Sequence, residues 1–185
     1  MNNFLPEKYE IPDASTGYMK FKLGENRFRV LSSAIIGWES WVDDEDGKRK
    51  PRRWKMGEDI KVEDIGDEPK HFWAFVVWNY ATEKVQILEV TQKGIMKSIK
   101  ALASDEDWGN PSEYDIVVTR EGEGLETEYQ LSPKPKKPLD EGIKAFYKDL
   151  NINLDALFSG GDPFTSGSSE EIKEEDLKEI AGFIA

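Results

Sequence analysis

The segment KRKPRRWK at 48–55 places six basic side chains in eight positions around Trp54, directly after the acidic run DDED at 43–46. Trp38 and Trp41 precede it, and Trp73, Phe75, Trp78 and Tyr80 follow. Cations interleaved with aromatic rings suit binding more than covalent chemistry. Lys and Arg follow a line of phosphates while unpaired bases stack on ring faces, at about 1–3 kcal/mol per base. A duplex hides those faces, so the pattern points to single strands. Lys48, Arg49, Lys50, Arg52, Arg53 and Lys55 are expected to contact phosphates. Trp38, Trp41, Trp54 and Trp78 are the candidate stacking platforms.

Each part also has a plainer reading. A basic run is commonly a solvated loop, and DDED can neutralise it across a hairpin. At least half of Trp73, Phe75, Val77 and Trp78 are expected to fill a core. Trp38 and Trp41 stand on opposite faces of a regular strand, so burial of both is not expected, and one of them is the leading platform.

The chain has 185 residues and a net charge of -12. That length suits one domain with extensions: a body at 17–158, an arm at 1–16 and a linker with tail at 159–185. Hydrophobic residues at 38%, with six Trp and nine Phe, suffice for a core, and charged residues at 34% keep the surface solvated. There is no cysteine and His71 is the one histidine, which leaves little for a thiolate metal site or a Ser-His-Asp relay. No cofactor is expected. No run reaches the roughly 18 apolar residues of a membrane span, and MNNFLPEKYE lacks the start of a signal peptide, so a cytoplasmic location without membrane contact is expected.

An acidic chain is an unusual phosphate binder, but its charge is uneven. From Asp162 onward seven carboxylates face two lysines. Leu177, Ile180, Phe183 and Ile184 give that acidic end an amphipathic side suited to a partner protein's groove. Its composition is otherwise that of a disordered tail. Tethered near a basic groove, it competes with nucleic acid at high effective concentration.

Elements that would position the binding residues follow from periodicity. RFRVLSSAIIGWESWV reads as one long strand, with Phe28, Val30, Ala34, Ile36 and Trp38 on one face and Gly37 at a bulge or bend. HFWAFVVWNY is apolar at both parities and reads as a strand covered on both sides. TEK turns it into VQILEV. In TQKGIMKSIKALAS the period changes to helical, with Thr91 as N-cap, Ile95, Ile99 and Leu102 inward, and Lys93, Lys97 and Lys100 elsewhere on the surface. A second hairpin turns at Gly122 and Gly124, with Leu125, Thr127, Tyr129 and Leu131 on one face. A short helix at LDEGIKAFYKDL follows. The fold expected is mainly β: a five- to six-stranded antiparallel OB-type barrel with one internal helix, a short C-terminal helix and a disordered acidic tail.

The stretches HFWAFVVWNYATEKVQILEVTQKGIMKSI and DWGNPSEYDIVVTREGEGLETEYQLSPKP resemble bacteriophage single-stranded DNA-binding proteins of the OB-fold type, over roughly residues 18–150. The resemblance implies a protein that coats single-stranded DNA during replication, recombination or repair. It also implies an acidic tail that contacts replication or recombination proteins and shields the groove. A structural zinc found in some phage relatives does not carry over to a chain without cysteine. The ending GFIA departs from tails that close on an aromatic residue.

Two other classes compete. A phage structural or assembly module would use the same barrel face for protein contacts, since exposed Trp and Arg also suit protein interfaces. A nuclease would need Mg²⁺ on Asp43, Asp44, Glu45 and Asp46, or on Glu58, Asp59, Glu63 and Asp64. Those runs are local and loop-like, whereas catalytic carboxylates converge from rigid elements. Monomer and homodimer are both compatible with the sequence.

Overall fold

The computed structural model describes residues 17–164. Eight strands run in chain order as β1 (Tyr18–Met19), β2 (Gly24–Val30), β3 (Ile35–Asp43), β4 (Arg49–Lys55), β5 (Lys70–Asn79), β6 (Lys84–Val90), β7 (Asp115–Glu121) and β8 (Glu128–Pro133). Helix α1 (Lys93–Ser104) lies between β6 and β7, and α2 (Glu141–Leu150) follows β8. The chain is mainly β, as its alternation predicts. The arm at 1–16 and the tail residues Leu177, Ile180, Phe183 and Ile184 lie outside the described residues.

β5 organises the sheet. It pairs antiparallel with β6 on one edge, and on the other with β3 at its start and β2 at its end. Its apolar residues at both parities are covered on both faces. Phe75 and Val77 join Phe28, Val30, Leu88, Ile116 and α1 in the larger core. Phe72 and Ala74 on the reverse face pack with Ile87 and Leu157 in a second, smaller one. The cover on that reverse face comes from the 3-10 turn Leu154–Ser159 and the residues after it. Phe164, among those residues, meets Tyr18 edge-on at 6.1 Å.

The expected long strand is interrupted. Val30 pairs with Val77 and Ile36 with Trp73, so β2–β3 spends two more residues than β5 over this interval. The excess is even, which keeps Phe28, Val30, Ile36 and Trp38 on one face. The interruption therefore falls at 31–34, where Ser32 Oγ accepts the Val76 N–H at 2.8 Å, and not at Gly37. Gly37 serves a close approach instead: a Cβ there would sit 2.2 Å from the Trp54 carbonyl oxygen.

Other expectations are corrected. The basic run is a strand, not a loop. Among the described residues β4 pairs only with β3, and such an edge position tolerates Pro51, which has no N–H to offer a second neighbour. Gln92, not Thr91, precedes α1 as its N-cap. Leu125 is fully exposed in a 3-10 turn, because β8 begins only at Glu128. The described residues hold eight strands where five or six were expected, β1 runs parallel to β6, and among these residues the hydrogen-bonded path β1-β6-β5-β2-β7-β8 does not close. Its two ends meet through side chains: Phe21 lies 5.8 Å from Tyr129.

A buried ion pair ties β2 to β7. Asp115 and Arg29 are fully buried, and Arg29 Nε donates to Asp115 Oδ1 at 2.7 Å. Arg27 donates to Oδ2 at 2.9 and 2.6 Å, and the Tyr80 hydroxyl donates to Oδ1 at 2.8 Å. Burial works to raise the Asp115 pKa, but these hydrogen bonds outweigh it and hold the carboxyl below its ordinary value. Tyr80 is pushed up to about 12 by burial and by its bond to this carboxylate. Asp115→Asn keeps the shape and removes the charge, leaving Arg29 buried without a counter-ion. Urea denaturation is expected to show a loss of about 3–5 kcal/mol, and a loss below about 1 kcal/mol would contradict this role. In the folded variant the Tyr80 titration should move down from about 12.

Candidate nucleic-acid interface

Directly opposed residues of neighbouring strands share a face, so the register places Trp38, Trp54 and His71 together. Trp73 follows on the same face of β5, two residues from His71. Where the core ends, this face continues as a groove of about 400 Å³ whose floor is Trp38, Met56, His71, Trp73 and Met96. The rings of Trp38 and His71 are 5.3 Å apart at 54°. His71 Nδ1 is bonded to the Gly37 carbonyl oxygen at 2.8 Å, which orients the imidazole and makes Nδ1 the donor.

One wall of the groove is α1, which contributes Lys93, Lys97 and Lys100. Their spacing of four and three residues lines them up on one helix face, while Ile95, Met96 and Ile99 are buried. None of the three lysines has an ion-pair partner among the described residues. No carboxylate lines the groove. Periodicity alone puts Lys93, Lys97 and Lys100 elsewhere on the surface, with no role in binding; their i, i+4, i+7 spacing is the signal that marks a common stripe.

The basic strand is differently placed. Lys50 pairs with Asp44 and Arg52 with Asp64, each at 2.8 Å, and Arg49 pairs with Asp67. These pairs are partly exposed, where such contacts contribute about 0–1 kcal/mol. Lys48 has no ion-pair partner among the described residues, and its backbone N–H donates to Asp44 at 2.8 Å. Lys55 lies over the Phe158 ring at 5.6 Å. Arg53 is buried between Glu89 at 2.5 Å and Glu39 at 3.4 Å, which engages its charge internally. The acidic neighbours thus neutralise much of the run, with Asp64 and Asp67 from the following loop contributing more pairs than DDED does. Asp44 is held below its ordinary pKa by the Lys50 hydrogen bond and the Lys48 N–H.

The tryptophans separate as well. Trp54 is only 7% exposed, beneath Arg52 at 5.7 Å, so it has little ring face to offer. Trp41, 39% exposed, lies on the opposite hairpin face from Trp38. Trp78 stands five residues from Trp73, on the reverse face of β5, beside Arg29. Among the described residues no three His, Asp or Glu side chains converge as a metal site, and no helix is long and apolar enough to cross a membrane.

Fold and site together define a mainly β, acidic protein with an aromatic groove walled by lysines that have no ion-pair partner among the described residues. The chain is similar to a protein of Escherichia phage T5 called "Probable ssDNA-binding protein", 21% identical over 173 residues, covering 76% of this chain. The match spans 66% of that relative's length, just under two thirds. No family model matches the chain, and no solved structure matches it.

The reverse hairpin face carries a titrating group. Burial first, then the hydrogen bond and negative charge of Glu89, raise Glu39 to about 8, against the pull of Arg53 and Lys70. A carboxyl raised on folding binds more protons folded than unfolded, so stability falls as pH rises from about 4.5 towards 8. Glu39→Gln is expected to flatten that dependence and to exceed the native protein in stability above pH 8, by on the order of a few kcal/mol. Denaturation at pH 5, 7 and 9 checks this; an unchanged pH slope in the variant would contradict it.

Proposed function

We propose that this protein is a non-enzymatic, sequence-tolerant single-stranded DNA-binding protein, and that Trp38, His71 and Trp73 stack on bases while Lys93, Lys97 and Lys100 hold phosphates. The observation that carries this reading is the groove itself: the partly exposed Trp38, His71 and Trp73 beside three lysines with no ion-pair partner among the described residues, in a chain whose net charge is -12. Stacking needs no base-specific hydrogen bonds and so tolerates any sequence. The name of the phage T5 relative supports the same ligand class.

The strand order supports an OB-type core. Taking β2–β3 as the first strand, then β5, β6, β7 and β8, the helix falls between the third and fourth strands. The β3–β4 hairpin then becomes an enlarged first loop, an element through which such folds bind oligonucleotides. On its groove face, the exposed Lys50 and Arg52 exchange their half-buried carboxylate partners for phosphates, and Lys48 joins them. Trp41 offers a second platform on the other face. In this reading the protein coats single strands during phage DNA replication, recombination or repair, in the host cytoplasm. The acidic segment at 170–185 contacts partner proteins through Leu177, Ile180, Phe183 and Ile184.

Tryptophan fluorescence during titration with oligo-dT and with duplex provides the test. Oligo-dT is expected to quench, and duplex to quench little. Trp38→Ala should lose about 1–3 kcal/mol of oligo-dT affinity. Changing Lys93, Lys97 and Lys100 together to Gln should flatten the plot of log affinity against log salt by about 2. Unchanged affinity and slope in both variants would remove the groove as the site. Absence of oligo-dT binding by the native protein at low salt would end the single-strand reading.

A further inference from the structure

The groove does not end at Trp73. Trp73 also lines a second cavity of about 460 Å³, formed by the interruption at 31–34 together with Phe75, Ile99 and Asn110–Ser112. No charged side chain lines it; Ser32, Ser33, Asn110 and Ser112 supply its polar surface. That cavity in turn shares Val30, Leu31 and Ser112 with a third, of about 520 Å³. The third cavity is lined by four cations, Arg29, Lys136, Lys137 and Lys144, and by one acid, Glu113, which pairs with Lys136 at 2.9 Å; Lys144 pairs with Glu141 at 3.0 Å and Lys137 lies 3.4 Å from Asp115.

Arg29 is the unusual member. Its Nε is committed to Asp115, and its Nη1 donates to the carbonyl oxygens of Ser112 at 3.1 Å and Lys137 at 3.0 Å. Its Nη2 is buried and has no hydrogen-bond partner among the described residues. A buried guanidinium nitrogen left short of an acceptor is costly, and Arg29 belongs to a wall that combines lysines with Val30, Leu31, Pro138 and Leu139. Nη2 is a donor only, so an acceptor oxygen completes it, and an anionic one also answers the charge of the guanidinium. Arg29 is also fixed in place by its other three bonds, which makes it a preorganised cation.

We infer that the three cavities form one track for a single strand, and that the cavity beside Arg29 is a phosphate subsite taking a phosphodiester of that strand. This rests on the single-strand reading of the Trp38 groove and extends it along the molecule. The alternation supports a polynucleotide over an isolated anion: cations with rings, then a neutral polar and apolar passage fit for sugar and base, then cations again. Lys136 and Lys144 pair with the exposed Glu113 and Glu141, whereas Asp115 alone is shared by Arg27, Arg29 and Lys137, so the local excess of positive charge lies around that one carboxylate.

The test uses the full chain, isotopically labelled so that the Arg29 Nε–H resonance can be followed, with oligo-dT and, separately, inorganic phosphate as probes. Oligo-dT long enough to leave the Trp38 groove is expected to shift the Arg29 resonance. Lys136→Gln with Lys144→Gln, both at exposed positions, should lower the salt slope for that oligonucleotide by about 0.7 for each phosphate no longer neutralised. The same variant should bind a shorter oligo-dT, confined to the Trp38 groove, as the native protein does. If oligo-dT binds with the Arg29 resonance unmoved and the slope unchanged, the subsite is wrong while the groove stands. A shift with inorganic phosphate but none with bound oligo-dT would make this a free-anion pocket and overturn the track. Failure of the native protein to bind any oligo-dT would instead take down the underlying reading, and the track with it.

Discussion

The register of β5 is the constraint on which both fold and groove depend. One face of this strand carries Val77 and Phe75 into the larger core and then Trp73 and His71 out of it, into the groove. The other carries Phe72 and Ala74 under the C-terminal segment. Because side chains alternate with period two, a slip of one residue would exchange the two sets and expose an apolar face on each side. Burial of both faces therefore holds the register, and the register places the rings. The core residues nearest the groove, Met96 and Trp73, belong to both, so the binding surface is the open margin of the packed interior.

Charge is arranged on the same frame. Cations on the β3–β4 hairpin are largely matched by nearby carboxylates, and the deepest cation, Arg29, is matched by Asp115. On α1, which must bury Ile95, Met96 and Ile99 against the sheet, the lysines at 93, 97 and 100 fall beside the aromatic floor with no acid opposite them. A net negative protein can hold a local positive surface in this way, because fields beyond roughly 8–10 Å are screened at physiological salt. The lysines act over short distances, where the remaining negative charge matters little.

Much of this was legible in the sequence. Apolar residues at both parities within 71–80 foretold a strand buried on both sides, and the change of period after Thr91 foretold α1 to within a turn. The opposite faces of Trp38 and Trp41 follow from strand geometry alone. What was not legible depended on long-range pairing. That Asp64 and Asp67 would reach back to Arg52 and Arg49, and that Glu89 would meet Arg53, follows from how β3, β4 and β6 approach in space. Trp54 looked like a platform because its neighbours are cations, and only the packing shows its ring covered. Conversely, Lys93, Lys97 and Lys100 looked ordinary because a helix with a basic surface is common. Their meaning comes from Trp38 and Trp73 lying across from them.

The central claim, that a single strand lies on the Trp38, His71 and Trp73 face beside α1, is most directly tested by photo-crosslinking the full chain to an oligo-dT carrying 5-iodouracil and locating the adducts by mass spectrometry. Adducts on Trp38, His71 or Trp73, suppressed by excess unmodified oligo-dT, are the predicted result. Adducts confined to Trp41, Trp78 or other residues outside the groove, with these three unmodified, would contradict it.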